Sequence, residues 1–325
     1  MTDVLDISCR ACGRPVAAEP FVAREMLLET RESFEYVECS SCGSIQITEI
    51  PADLERYYPE NYRLPVAAPG AIGRLLRKQR GAAVRGSRWN FVGRLMLSRL
   101  ERPMWADWMI GTHAQADSRI LDVGSANGEL LIALSAAGFR DLTGIDPFVT
   151  PEENRSDGVR IFRRTIDAQE GTFDVVMLHH SLEHVAGPAE SLRHVRRLLD
   201  PDGRALVRMP VAGGYGWRTY REHWIGIEPP RHLVIPSLEG MRLLAAQANL
   251  EIESIVYDTS GACYALSELW SEGRTFPAPR RPWMKRAIEM CGADRVAEIN
   301  RMARQNDDAR DGDTAAYYLR PLGSG

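Results

Sequence analysis

The chain has 325 residues, 44% hydrophobic and 26% charged, with 40 Lys and Arg against 44 Asp and Glu for a formal net charge of -4 and a pI near 6.0. That length holds two or three compact units with a substantial core, and the charge balance gives no global case for nucleic acid, so only a local basic patch stays in play. No apolar run approaches the roughly 20 residues of a membrane span, and Met1-Thr-Asp-Val-Leu-Asp6 lacks the basic and then apolar regions of a secretory signal, which makes the cytoplasm the expected location.

Near the N-terminus, Cys9-Arg-Ala-Cys12-Gly13 and Cys39-Ser-Ser-Cys42-Gly43 are near copies of each other. In a reducing compartment such pairs point to a metal rather than to disulfides, with a redox dithiol as the alternative. Each pair offers two thiolates, and the following glycine lets backbone N–H groups turn toward sulfur. Cys9, Cys12, Cys39 and Cys42 would complete a tetrahedral zinc site with no open position, so the ion would contribute to folding and not to chemistry. Strand patterns at Phe34–Cys39 and Ile45–Ile47 make residues 1–50 read as a small zinc ribbon.

Residues 51–110 read as a helical connecting or cap region. A short helix begins near Pro51, and Pro59, Pro65 and Pro69 then interrupt the chain. Tyr57, Tyr58 and Tyr62 either pack the ribbon on the core or line a sugar or aromatic substrate. From Ile72 to Arg102 the pattern is helical and basic, with Arg74, Arg77, Lys78, Arg80, Arg85, Arg88, Arg94, Arg99 and Arg102 against Glu101. Three readings compete for it: a solvated face over a cleft, attraction of an anionic or nucleotide-linked substrate, and weak peripheral contact with anionic membrane.

Residues 111–325 carry alternating strand and helix patterns. Ile120–Val123 is a short buried strand, Gly124 and Gly128 free the turn after it, and a helix runs over Asn127–Ala137. A second strand ends in Asp146, so a nucleoside could lie over the turn with its ribose hydroxyls on that carboxylate. The dinucleotide fingerprint G-x-G-x-x-G is absent from Gly124-Ser-Ala-Asn-Gly-Glu129. Further strands are expected at Val159–Phe162, Phe173–His179, Ala205–Met209, Glu251–Tyr257 and Asp313–Arg320, with a helix over Ser237–Asn249. Residues 260–311 form a helical insertion suited to a lid or a homodimer contact. Cys263 and Cys291 read as packed apolar groups. Between strands, residues 211–233 form a loop rich in aromatic, charged and imidazole groups at the sheet edge where substrates bind. Glu222, His223 and His232 are its candidate acceptor-side groups, and Arg231 either clamps an anion or ties the loop down. No metal is expected there, because the histidines show no third and fourth ligand.

The run Asp122-Val-Gly-Ser-Ala-Asn-Gly128, then Asp146, Phe173–Leu178, Leu182-Glu-His-Val185 and Leu198-Leu-Asp-Pro-Asp-Gly203 resembles class I S-adenosylmethionine-dependent methyltransferases over about 145 residues. The resemblance implies a doubly wound, seven-stranded, mostly parallel α/β sheet, Rossmann-like, whose last strand inserts antiparallel beside the fifth. It also implies cofactor contacts at Asp122, Gly124, Ala126, Gly128, Asp146 and Asp167, the last near the adenine. Ala126 stands where the family often has glycine. His179 and His180 end the strand that faces the methyl group, with His180 a candidate base, and the helix after it opens at Leu182. A subset of sugar and natural-product methyltransferases carries a comparable ribbon, and His223-Trp224 with Pro230-Arg-His-Leu233 resembles that subset.

These readings converge on methyl transfer from S-adenosylmethionine to a small polar acceptor, a sugar or sugar-containing metabolite, with zinc as a structural ion. The alternatives are an RNA or protein methyltransferase and a noncatalytic module that keeps the cofactor fold.

Overall fold

The structure, a computed structural model, describes residues 7–28, 30–58, 71–84, 93, 95, 103–149, 153–154, 158–274 and 283–323. Tyr62, the prolines at 59, 65, 69, 277, 279 and 282, and Arg85, Arg88, Arg94, Arg99 and Arg102 lie outside the described residues. The strands in chain order are β1 Phe21–Arg24, β2 Ser33–Glu38, β3 Ile45–Ile47, β4 Arg119–Val123, β5 Asp141–Ile145, β6 Glu153–Asn154, β7 Val159–Phe162, β8 Phe173–His179, β9 Leu199–Pro210, β10 Val234–Ile235, β11 Leu250–Tyr257 and β12 Thr314–Pro321. The helices are α1 Ala71–Val84, α2 Met104–Gly111, α3 Glu129–Ala136, α4 Pro188–Leu198, α5 Tyr215–Tyr220, α6 Leu238–Gln247, α7 Gly261–Ser271, α8 Trp283–Cys291 and α9 Ala293–Asp308.

The larger sheet has the order β11-β12-β9-β8-β4-β5-β7-β6. Strands β9, β8, β4, β5 and β7 run parallel, and β12 lies antiparallel between β9 and β11. The seven expected strands are all present, and the two-residue β6 adds an eighth at the β7 edge. Both faces are covered, as a parallel sheet requires. Ile120, Val175, Met177 and Leu206 meet Met109, Leu131 and Leu134 on one side. Their neighbours Leu121, Val176, Leu178 and Val207 meet Leu192, Val195, Met241 and Leu244 on the other. A period of two thus feeds two cores, each fully buried aliphatic side chain contributing about 1.5–3 kcal/mol.

Three local expectations change. The stretch Leu182–His184 is a single 3-10 turn, and the helix starts at Pro188. Proline disfavours helical geometry in the residue before it and suits the first helical position, so Gly187-Pro188 resets the backbone. Within the helical insertion at residues 260–311, Gly292 separates α8 from α9. The loop at residues 211–233 contains α5 and two short 3-10 turns.

The N-terminal segment builds a second sheet, β1-β2-β3-β10, whose last strand comes from the chain just after the acceptor-side loop. A third core fills the space behind it. Tyr36, Ile45 and Ile47 pack there with Trp217, Trp224, Leu233, Tyr264 and Trp270. Buried indoles need a partner for their N–H. Trp217 Nε1 donates to Glu38 at 3.1 Å and Trp224 Nε1 to Asp313 at 2.8 Å. Among the described residues, no helix is long and apolar enough to cross a membrane.

Ser237 joins these layers. Its Oγ accepts from Gly240 N at 2.9 Å as the cap of α6 and donates to the carbonyl of Cys42. Ser237→Ala removes the cap and leaves that buried carbonyl without its donor. The expected loss is about 1–2 kcal/mol, read as a lower urea midpoint at unchanged slope.

Candidate active site

The turn after β4 docks on the end of β5, where Gly124 N and Ser125 N both donate to the Ile145 carbonyl, at 2.8 and 3.1 Å. Gly128 N closes the turn on Ser125 O at 2.8 Å. Two glycines are required by geometry. Gly124 sits at φ +78, where an added Cβ would lie 2.7 Å from Ser181 Cβ, and Gly128 at φ +73, with Ile161 Cδ1 2.4 Å away. Ala126 takes φ 46, the left-handed region where glycine would be less strained.

Around this turn the protein leaves polar atoms without internal partners. Ser125 Oγ, Ser181 Oγ and both ring nitrogens of His179 are buried with no hydrogen bond among the described residues. Buried polar atoms ordinarily find partners, so this arc is suited to a ligand rich in donors and acceptors. Ser125 and Ser181 are 56 residues apart, and no sequence signal pairs them. The His179 ring lies 4.2 Å from that of Trp108, and burial with the positive Arg208 nearby pushes its pKa down to about 3, so it is a neutral imidazole.

Asp122 and Asp146, at the ends of β4 and β5, are both buried. Asp146 accepts from Ala126 N at 3.1 Å and Phe148 N at 2.8 Å, which holds the loop to the strand end. Burial, and then the charge of Asp146, raises the Asp122 carboxyl to about 7. A cation placed between the two would reverse that shift. Asp167 is exposed, in the turn after β7, with its backbone carbonyl receiving Arg197 at 3.2 Å.

Beyond β8 the side chains form a chain of hydrogen bonds. Asp258 accepts from Arg208 Nε at 2.7 Å, Arg208 donates to His180 Nε2, and His180 Nδ1 donates to Glu183 Oε1 at 3.1 Å. The lone pair of His180 is therefore held by a guanidinium, which counts against the candidate base. Burial would raise the Glu183 carboxyl, but the His180 hydrogen bond and the surrounding imidazoles hold it near 2.

In the acceptor-side loop the candidates separate by exposure. Glu222 and His223 are accessible and lie 3.9 Å apart. His232 is buried, its Nδ1 donating to Gly226 O at 2.7 Å. Arg231 is a tie and not an anion clamp. Its fully buried guanidinium donates to Glu228 at 2.8 Å and to the Tyr57 carbonyl at 3.2 Å, and lies 3.6 Å from Glu25. Contrary to the spacing in sequence, the fold does assemble a third potential metal ligand here, since Glu183 joins His184 and His232.

The four N-terminal cysteines are reduced and gathered, with Cys9 Sγ 3.6 Å from Cys42 Sγ and Cys12 Sγ 3.7 Å from Cys39 Sγ. Zinc–sulfur bonds of about 2.3 Å in a tetrahedron place sulfurs about 3.8 Å apart, so this donor set fits zinc. At Cys39 burial opposes ionisation, but the N–H groups of Cys42 and Ser41 outweigh it and hold the thiol below its ordinary pKa.

Gly124→Ala tests whether the turn must keep this shape. The strained φ and the fixed Ser181 Cβ should cost about 1–3 kcal/mol, seen as a lower thermal midpoint, whereas Ala126→Gly should stay within about 1 kcal/mol of the native chain.

Residues 90–255, more than half of the chain, match a family described as a methyltransferase domain. The ubiquinone biosynthesis O-methyltransferase of Pseudomonas aeruginosa strain UCBPP-PA14 is 31% identical over 116 residues, 32% of this chain and 50% of that enzyme. Its namesake from Methylococcus capsulatus strain Bath is 33% identical over 126 residues, 35% of this chain and 53% of that enzyme. The chain spans about half the length of the curated relatives it matches. Among solved structures, coclaurine N-methyltransferase bound to N-methylheliamine and SAH aligns at a TM-score of 0.46 and 13% identity, covering 84% of this chain and 83% of that one. On the extent of the domain match, the chain belongs to the methyltransferase-domain family.

Proposed function

We propose that the chain transfers a methyl group from S-adenosylmethionine to a small polar acceptor, a sugar or sugar-containing metabolite. The observation that carries the reading is the pair of buried carboxylates, Asp122 and Asp146, beside a glycine turn ringed by unsatisfied Ser125, His179 and Ser181 atoms. When bound, the cofactor supplies an electrophilic methyl carbon on a positively charged sulfur. Asp146 accepts from the ribose diol through the carboxylate lone pairs that Ala126 and Phe148 leave over, and Asp122 faces the cationic amino-acid end. Gly124 and Gly128 let the backbone approach.

Direct displacement at that carbon needs an aligned nucleophile and exclusion of water. The His180–Arg208–Asp258 chain fixes one wall of the cleft, and Glu222 with His223 orient the acceptor or take its proton. The same proposal gives Cys9, Cys12, Cys39 and Cys42 a structural zinc, which steadies the four-cysteine module against the core. The curated relatives' names concern O-methylation in ubiquinone biosynthesis. Their match of 116 residues cannot reach both the four-cysteine module and α7–α9, so it leaves much of what could shape an acceptor pocket unmatched. A methylation screen resolved by mass, containing nucleotide sugars, small metabolites, phenols, RNA and peptides, tests the acceptor class. Labelling confined to RNA or peptides would overturn it.

The cofactor site makes a pH prediction. In the free protein Asp122 keeps its proton up to about pH 7, so this group's contribution to stability falls as pH rises through that value. Binding a cation requires the ionised form and releases that proton. Calorimetric affinity for S-adenosylmethionine should therefore tighten as pH rises toward 7, by at most about tenfold per unit, and then level off. Asp122→Asn should flatten the profile, and Asp146→Ala should weaken binding by about 1.5–3 kcal/mol above pH 7 while moving the rise in affinity to lower pH, because Asp122 loses its like-charged neighbour.

The acceptor-side residues are separable by kinetics. His223→Ala should lower kcat at least tenfold while cofactor affinity and thermal midpoint stay at native values. A matching loss in all three measurements would make His223 a packing residue.

A further inference from the structure

A second metal centre is suggested by groups that methyl transfer does not use. Glu183 and His184 of the 3-10 turn after β8, and His232 of the acceptor-side loop, each offer one ligand atom, and these atoms lie within 4.8 Å of one another. Hydrogen bonds decide which imidazole nitrogens face inward. A ring nitrogen against a carbonyl oxygen must carry the proton. His232 Nδ1–H donates to Gly226 O at 2.7 Å, and His184 Nδ1–H is shared between Arg231 O at 2.9 Å and the Tyr58 hydroxyl oxygen at 3.0 Å. With Nδ1 of each ring committed to a carbonyl, Nε2 is the nitrogen left to meet a ligand.

On His232 that nitrogen faces two carboxylates. His232 Nε2 lies 4.0 Å from Glu183 Oε1 and 3.7 Å from Glu228 Oε2. The second oxygen of fully buried Glu183 accepts no hydrogen bond among the described residues. Carboxylates converging on one buried imidazole nitrogen repel one another, and a cation offsets that repulsion. The 4.0 Å between His232 Nε2 and Glu183 Oε1 is too long for a hydrogen bond, and a contraction of about half an ångström brings it to the span across an ion that bonds each ligand at about 2.0–2.2 Å. Imidazoles anchored through Nδ1–H to carbonyls are the usual support for ligation through Nε2.

We propose that Glu183, His184 and His232 bind a divalent zinc ion, separate from the thiolate site. The mixed imidazole and carboxylate set suits zinc. The ion pins the acceptor-side loop to the sheet edge and is independent of which acceptor is methylated. Its ligands come from residues 183–184 and from His232, so it bridges two segments that the chain brings together only on folding.

Elemental analysis of the full-length protein tests this directly, followed by calorimetric titration with Zn2+ to refill any ion lost in purification. The native chain should reach two zinc equivalents. Cys39→Ser should retain the Glu183 site, and both His184→Gln and His232→Gln should fall to the single thiolate-bound equivalent. Zn2+ should raise the thermal midpoint of the native chain and of Cys39→Ser, but not of the two histidine variants. A native chain that saturates at one equivalent, lost on Cys39→Ser, overturns the proposal and leaves the cluster held by protons or water. That outcome leaves cofactor affinity untouched, so it is distinct from a failure of the methyltransferase reading.

Discussion

One backbone unit couples the catalytic sheet to the rest of the molecule. Leu233 N donates to Glu183 O at 2.7 Å, at the end of the central strand's turn, and Leu233 O accepts from Ile47 N at 3.0 Å in the N-terminal sheet. Next to it, Tyr36 donates to His232 O at 3.0 Å, and β10 pairs with β3. These main-chain bonds are shielded from water, so breaking one exposes unsatisfied groups in a buried setting. The four-cysteine module is thus tied directly to the end of the acceptor-side loop. A metal held by Cys9, Cys12, Cys39 and Cys42 would order β3 and, through its pairing with β10, the end of the loop that bears Glu222 and His223.

Charge is distributed with the same economy. Arg231, Glu228 and Glu25 form a buried ion group that spans the module and the loop, and Arg208 with Asp258 does the same between β9 and the end of β11. Asp313 holds Gly216 N at 2.7 Å and the Trp224 indole, which locks α5 to the start of β12. Pairs of this kind add little net stability, because desolvation offsets attraction. Their effect is on position. By contrast Asp122, Asp146, Ser125, His179 and Ser181 gather beside the glycine turn with buried charge or unmet hydrogen-bonding capacity, which marks the site as distinct from the ties around it.

Much of this was legible in the residues. The strand Val159–Phe162 has the expected bounds because its alternation is clean and Gly158 precedes it. The inserted strand near residue 314 and the glycine turn follow the order of motifs along the chain. What stayed hidden depends on contacts that no local pattern encodes. Phe21–Arg24 is too short to announce itself, and Val234-Ile235 becomes a strand only because β3 offers an open edge. The hydroxyls of Ser125 and Ser181 are ordinary turn residues until the fold brings them to one spot. Likewise His232 reads in sequence as an acceptor-side group of a polar loop, whereas the fold buries it against His184, Glu183 and Glu228.

The antiparallel strand Thr314–Pro321 occupies an interior place in the sheet, flanked by β9 and β11. Vectorial synthesis therefore leaves a gap between those two strands until residues past 321 have emerged from the ribosome. During that interval β9 and β11 present unpaired edges, the kind of surface that holdase chaperones cover. Any nascent fragment ending before residue 314 is obliged to wait, with its catalytic sheet incomplete.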